Sequence, residues 1–88
     1  MIERECKIVN QLGLHARPAA QIVKIASTFQ SEIEIVKDGM AVNGKSIMGV
    51  MMLAAECGSS ITLRATGPDE AAAVDALAAL VARGFGEA

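Results

Sequence analysis

The chain has 88 residues, of which 52% are hydrophobic and only two are aromatic, and its net charge is −2. This length predicts a single domain, 1–88, and without a basic face the chain is not expected to bind nucleic acid. No apolar run reaches the roughly 18 residues needed to span a membrane, and the first residues do not resemble a signal peptide. Two cysteines are too few for a disulfide framework. Together these observations predict a cytoplasmic protein.

The first half of the chain has the pattern of a strand, a helix and a hairpin. Hydrophobic and charged side chains alternate over residues 2–9, which predicts a half-buried strand. Residues 16–29 carry apolar side chains at the spacing of an amphipathic helix, and Pro18 fits its first turn. Residues 31–44 alternate on both sides of the tight-turn pair Asp38-Gly39, which predicts a hairpin.

The second half has the pattern of a helix, a strand and a helix. Ser46 suits the N-cap of a short helix that stops at Gly58. Residues 60–66 alternate as a strand, and residues 68–84 predict a helix with acidic groups in its first turn. The order β-α-β-β-α-β-α predicts an α+β fold in which helices cover one face of a four-stranded sheet.

The only histidine lies where the first helix is predicted to begin, in GLHARPAA at 13–20. The first N–H groups of a helix have no internal partner and carry a partial positive charge, so they bind anions. Here Ala16 and Arg17 supply such N–H groups, and the Arg17 guanidinium suits phosphate oxygens. The same helix end favours a neutral imidazole, which can accept a phosphoryl group. These residues predict an anion or phosphoryl site at His15.

Other roles of His15 stay open on the residues alone, since histidine is also common at surfaces and helix caps. A metal site is not predicted, because a lone histidine without a second histidine or a cysteine cluster falls short of three or four ligands. A Ser-His-acid site is not indicated either, since no nucleophile elbow is present. We expect no cofactor.

Two motifs are similar to those of one known family. GLHARPAA resembles the active-site motif of HPr, the histidine-containing phosphocarrier family of the bacterial phosphoenolpyruvate-dependent phosphotransferase system, including its nitrogen-related branch. NGKSIMGVMMLAAECGSSITL, at 43–63, resembles the second motif of that family, the regulatory-serine helix and the strand after it. Length and element order also match over the whole chain. The resemblance implies an open-faced β-sandwich, with a four-stranded antiparallel sheet covered on one face by three helices.

The resemblance implies a phosphoryl carrier that is not an enzyme on its own. His15 would accept the phosphoryl group at Nδ1 from enzyme I, which took it from phosphoenolpyruvate, and pass it to an enzyme IIA, with Arg17 as the active-site arginine. Ala16 stands where many relatives carry serine or threonine, so the backbone must hold the phosphate. The tail at 85–88 differs from the acidic ends of relatives, and no role is predicted for Glu87.

Ser46 has two compatible roles. As an N-cap it would stabilise its helix by about 1 kcal/mol. The resemblance also implies phosphorylation by an HPr kinase/phosphorylase, and a phosphate at a helix N-terminus is tolerated by the fold.

A docking surface is predicted beside His15. Ile47, Met48 and Met51 cannot all point inward from a short helix, so some are expected to form an adaptable apolar patch. Ala20 and Gln21 would form its other edge. The protein is expected to act as a monomer. Two alternatives stay open: a regulatory nitrogen-branch paralogue, and a small protein-docking domain in which His15 is incidental.

Overall fold

A computed structural model describes residues 1–87, and Ala88, the last residue of the predicted domain, lies outside the described residues. Residues 1–87 form four strands and three helices, which are β1 (Ile2–Lys7), α1 (Ala16–Ala26), β2 (Glu32–Lys37), β3 (Met40–Asn43), α2 (Ile47–Met52), β4 (Ser60–Thr66) and α3 (Glu70–Ala82). A short 3-10 turn, Gly84–Gly86, follows α3. The strands are ordered β1-β4-β2-β3, and every neighbouring pair is antiparallel. The predicted α+β open sandwich is confirmed.

Alternation along β4 explains why the sheet has one covered and one open face. Ile61, Leu63 and Ala65 are buried on the helix side. Arg64, on the open side, lies between Glu3 and Glu34 on the two neighbouring strands, at 2.7 and 3.2 Å. Ion pairs exposed to solvent contribute little to stability, whereas a slip of one residue in strand pairing would move the whole apolar set into water. Burial therefore sets the register.

The three helices close the core, and their ends differ from the predicted ones. The prediction that the first helix continues to residue 29 is wrong, because α1 ends at Ala26. The prediction that the second helix stops at Gly58 is also wrong: α2 ends at Met52, and Ala54 adopts φ +49. Within residues 1–87, no helix has both the length and the apolar character needed to cross a bilayer.

A carboxylate joins the start of α3 to the segment before β2. Asp69 accepts hydrogen bonds from the N–H groups of Gln30 and Ser31, both at 2.9 Å, and from the Ser31 hydroxyl at 2.5 Å. These bonds, the Ser31 hydroxyl first, hold the pKa of Asp69 below its usual range. A depressed carboxylate pKa contributes stability above the pKa of the unfolded chain, and this is lost as pH falls through the folded value.

Asp69→Asn is therefore expected to weaken the fold at neutral pH and to flatten its acid dependence. The amide replaces one acceptor oxygen by a donor that faces other donors, so Tm at pH 7 should fall by roughly 4–8 °C. Thermal melts at pH 7 and at pH 3 test this. Asp38→Asn, at an exposed turn, is the control. An unchanged difference between the two pH values in Asp69→Asn would contradict the assignment.

Candidate functional site

A tight turn before α1 presents His15. Gly13 has φ +68, a conformation that glycine adopts without strain, and its carbonyl accepts from the His15 N–H at 3.0 Å. The buried Leu14 donates its N–H to the carbonyl of Ala55 at 2.9 Å. These bonds tie the backbone before His15 to the segment that follows α2.

His15 is the N-cap residue of α1. Its backbone is extended, with φ −79 and ψ −170, and its carbonyl accepts from the Ala19 N–H at 3.0 Å. The side chain makes no cap hydrogen bond, so the ring is free of the helix and 36% exposed. It lines a shallow groove of about 580 Å³ together with Leu12, Leu14 and residues 54–57. The ring is therefore accessible.

Glu87 contacts the His15 ring, a contact that the sequence analysis did not foresee. One carboxylate oxygen, Oε2, lies 2.8 Å from Nε2 of His15. The other, Oε1, accepts from Nδ2 of Asn10 at 3.0 Å, and the same Nδ2 donates to the Gly13 carbonyl at 2.8 Å. The Asn10 bond first, then the bond to His15 and the charges of His15 and Arg17, hold the pKa of Glu87 below its usual range despite partial burial.

The position of Glu87 decides which nitrogen of the neutral His15 ring carries the proton. An ionised carboxylate only accepts hydrogen bonds, so Nε2 must donate to it. In the neutral ring the other nitrogen, Nδ1, then holds an unprotonated lone pair. The arrangement therefore leaves Nδ1 as the ring nitrogen that is free to form a new bond.

Donors for an anion are available at the start of α1. Among residues 1–87, the backbone N–H groups of Ala16 and Arg17 have no acceptor. The Arg17 side chain is exposed and forms no ion pair within the described part of the chain. The structure thus brings three of the predicted site residues, His15, Ala16 and Arg17, to one helix end.

Ser46 caps α2, as predicted. Its backbone is extended, with φ −119, and its hydroxyl oxygen accepts from the Gly49 N–H at 3.1 Å. Its N–H donates to the carbonyl of Asn43 at 3.1 Å. The hydroxyl therefore satisfies one of the N–H groups that a helix start leaves without an internal partner.

Ser46→Ala is expected to lower the free energy of unfolding by about 1 kcal/mol through loss of this cap. Urea denaturation measures the change. Ser46→Asp keeps an acceptor oxygen at the same position and should stay within about 0.5 kcal/mol of the natural chain. Equal losses in the two variants would show that the hydroxyl does not stabilise α2.

Comparison with known proteins identifies the family. A family model described as "PTS HPr component phosphorylation site" matches residues 2–83. The chain belongs to the HPr family. Phosphocarrier protein HPr of Cupriavidus necator is 52% identical over 87 residues, which cover 99% of this chain and 98% of that protein. A crystal structure of HPr from Thermoanaerobacter tengcongensis, 48% identical, covers 100% of this chain and 99% of that one with a TM-score of 0.96.

HPr proteins are phosphocarriers of the phosphotransferase system, so the family predicted from the two motifs is confirmed. The oligomeric state is a separate matter. A crystal structure of an HPr dimer from Thermoanaerobacter tengcongensis, also 48% identical, covers 99% of this chain and 100% of that one with a TM-score of 0.79. The monomer expected from the sequence stays a prediction.

Four of the five predicted docking residues of this HPr chain line two separate grooves. Ile47, Met48 and Met51 are 45%, 75% and 42% exposed, and they line an apolar groove with Met52, which the sequence analysis omitted. We call these four residues the methionine patch. Ala20 is exposed, whereas Gln21 is half-buried and lines a different groove, between α1 and α3. Met52 could have been found from its place in the same apolar run of the sequence.

Proposed function

We propose that this HPr chain carries a phosphoryl group on Nδ1 of His15. The group would come from phosphorylated enzyme I, which is charged by phosphoenolpyruvate, and would pass to an enzyme IIA. The observation that carries the proposal is the Nε2–Glu87 contact of 2.8 Å, which leaves Nδ1 unprotonated in the neutral ring. The chain acts as a carrier, and the catalysis belongs to its partners.

The phosphoryl transfer requires no net gain or loss of a proton by His15. The Nδ1 lone pair of His15 forms the new bond to phosphorus as the bond from phosphorus to enzyme I breaks. No proton needs to leave Nδ1, and Nε2 keeps its proton throughout. The ring becomes more positive when phosphorylated, and the adjacent Glu87 carboxylate stabilises that charge. Transfer to the enzyme IIA reverses these changes.

The phosphoryl oxygens would be held at the start of α1. The free N–H groups of Ala16 and Arg17 supply two donors along the helix axis, and the Arg17 guanidinium supplies a mobile positive charge. Because Ala16 carries no hydroxyl, the backbone provides the fixed part of this binding.

The decisive experiment incubates the protein with enzyme I and labelled phosphoenolpyruvate. The expected product carries one phosphate that is labile in acid and stable in base, as a phosphohistidine is, and that leaves when an enzyme IIA is added. Absence of label, with enzyme I shown to be active on a known HPr, would refute the carrier function. A label that is stable in acid would show that a residue other than His15 is modified.

The methionine patch is proposed as the surface that enzyme I and the enzyme IIA share. Ala20 and Gln21, on the neighbouring helix α1, are proposed as further docking residues outside the patch. Three of the four exposed side chains of the patch are methionines, which are unbranched and polarisable, so one surface can adapt to two partners in turn. Both partners would approach by the same helix that Ser46 caps.

Met48→Glu is expected to slow phosphorylation by enzyme I about tenfold or more, because it places a charge at the centre of an apolar contact. The initial rate of labelling at low HPr concentration measures the effect. Met40→Glu is the matched control, since Met40 is 42% exposed but lies on β3, outside the patch. Equal slowing in both variants would argue against the patch.

Ser46 is proposed as a regulatory site for an HPr kinase/phosphorylase. A phosphate there carries a charge of about −2 beside the methionine patch and would repel acidic groups on enzyme I. Its oxygens could also replace the hydroxyl as acceptors for the Gly49 N–H, so the fold should persist. Incubation with the kinase and ATP, with Ser46→Ala as control, tests this: an unlabelled natural chain would refute it.

We propose that residues 1–88 form one domain that works as a monomer in the cytoplasm. Sedimentation at micromolar concentration, before and after phosphorylation, distinguishes a monomer from a dimer.

A further inference from the structure

Asn10 is one of two buried polar residues in the described chain, the other being Ser31. It lies in the loop between β1 and α1 and is only 3% exposed. Its amide nitrogen Nδ2 donates to two acceptors, the Gly13 carbonyl at 2.8 Å and Oε1 of Glu87 at 3.0 Å. Both hydrogens of that nitrogen are therefore used.

The carbonyl half of the same side chain has no partner. Oδ1 of Asn10 is buried and accepts no hydrogen bond within residues 1–87. A buried acceptor without a donor destabilises a fold, and an apolar side chain of similar size would avoid that loss. Stability alone therefore does not account for an asparagine here, and its two donated bonds are what distinguish it from a leucine.

These two bonds connect the parts that define the site. One reaches Gly13, whose turn fixes the backbone entering His15. The other reaches the carboxylate that receives the Nε2 proton of His15. Asn10 thus holds the Glu87 carboxylate, which contacts the His15 ring, at a fixed position relative to the backbone turn at Gly13.

We propose that Asn10 is a positioning residue for His15: it holds the Glu87 carboxylate on Nε2 and thereby keeps Nδ1 unprotonated. The inference rests on the proposed carrier function and assigns the residue that prepares the nucleophile. Partners that fix the tautomer and orientation of a functional histidine from outside the reacting atoms act in the same way elsewhere.

Removing Asn10 should release the carboxylate. With one oxygen no longer held, Glu87 can turn away, and the His15 ring can then take the form with hydrogen on Nδ1. That form cannot accept a phosphoryl group at Nδ1. The Asn10 bond is also the first cause of the low pKa of Glu87, so that pKa should rise toward its ordinary value in the variant.

Asn10→Leu tests the proposal. It has similar size and removes both the two donors and the unpaired acceptor. The Gly13 carbonyl keeps its bond from the His15 N–H, so the turn should persist. Nitrogen-15 spectra of the neutral His15 ring should show only hydrogen on Nε2 in the natural chain and a mixture of both forms in the variant. Because the mixture still contains the competent form, the rate of phosphorylation by enzyme I should fall in proportion to the fraction of that form that is lost, on the order of 2–5-fold.

Glu87→Ala separates positioning from a purely structural role. If Asn10 acts through Glu87, adding Asn10→Leu to Glu87→Ala should change neither the tautomer nor the rate further. Ser31→Ala, at the other buried polar residue, should lower Tm while leaving the His15 spectra and the rate unchanged. Asn10→Ala removes the same donors with a smaller side chain, and it serves if Asn10→Leu does not fold.

An unchanged tautomer in Asn10→Leu, or an equal slowing in the presence and absence of Glu87, would overturn the proposal. A natural chain that takes no phosphoryl group, but whose tautomer responds to Asn10→Leu, would instead overturn the carrier function and leave the positioning role standing.

Discussion

His15→Ala is expected to abolish phosphorylation by enzyme I while leaving the protein folded. No other histidine exists in the chain, so no second ring nitrogen can take the group. Arg17 and the free N–H groups at the start of α1 would still bind phosphate oxygens, but without a nucleophile no covalent bond can form. Labelling should fall to the background of a reaction without enzyme I.

The fold should tolerate this change because His15 contributes little to it. The side chain makes no cap hydrogen bond to α1, and its ring is 36% exposed. Glu87 loses one partner but keeps the bond from Asn10. We expect a change in the free energy of unfolding of about 1 kcal/mol or less, by urea denaturation. Retained acid-labile label in a folded His15→Ala protein would place the phosphorylation elsewhere.

The arrangement of strands and helices could be predicted because it rests on local periodicity. Alternation in the segments that form β1, β2 and β4, and the helical spacing in α1 and α3, point each apolar set toward one face. A small core then leaves few ways to bury those faces together.

The end of α2 could not be predicted, because contacts distant in sequence decide it. The segment continues apolar past Met52 and contains no strong breaker before Gly58. In the folded chain, Leu53 and Ala55 are buried in the core, and the Ala55 carbonyl accepts from the N–H of Leu14. Those contacts require the chain to leave the helix at Ala54, with φ +49.

Some residues of the candidate site could likewise be predicted from local sequence, and others could not. His15, Ala16 and Arg17 are adjacent in sequence, and the chemistry of a helix start identifies them together. Glu87 is separated from His15 by 72 positions, and nothing in its neighbourhood points to a histidine partner. The sequence around Asn10 indicates only a loop residue. Its burial and its contact with Glu87 depend on the folded structure.

Gly13→Ala is expected to destabilise the protein strongly and to disturb the same site. At φ +68 a side chain costs about 1–2 kcal/mol in backbone strain. A Cβ atom there would also press on the carbonyl oxygen of Ala55 and come within 3.1 Å of the Cα atom of Glu56. The carbonyl cannot move away freely, because it accepts the Leu14 N–H at 2.9 Å. Crowding of this kind adds about 1–3 kcal/mol.

Gly39→Ala separates these two contributions. Gly39 has φ +80 in the turn between β2 and β3, but a Cβ atom there would meet nothing within 4 Å. Gly39→Ala should lower the free energy of unfolding only by the cost of backbone strain, about 1–2 kcal/mol. Gly13→Ala should lower it by about 2–5 kcal/mol, as measured by urea denaturation. Gly13→Ala should also slow phosphorylation in the protein that remains folded, because the turn it distorts carries His15, while Gly39→Ala should not. Equal destabilisation in the two variants would mean that the segment after α2 yields to the added methyl group, and that the close approach to Ala55 does not fix the position of His15.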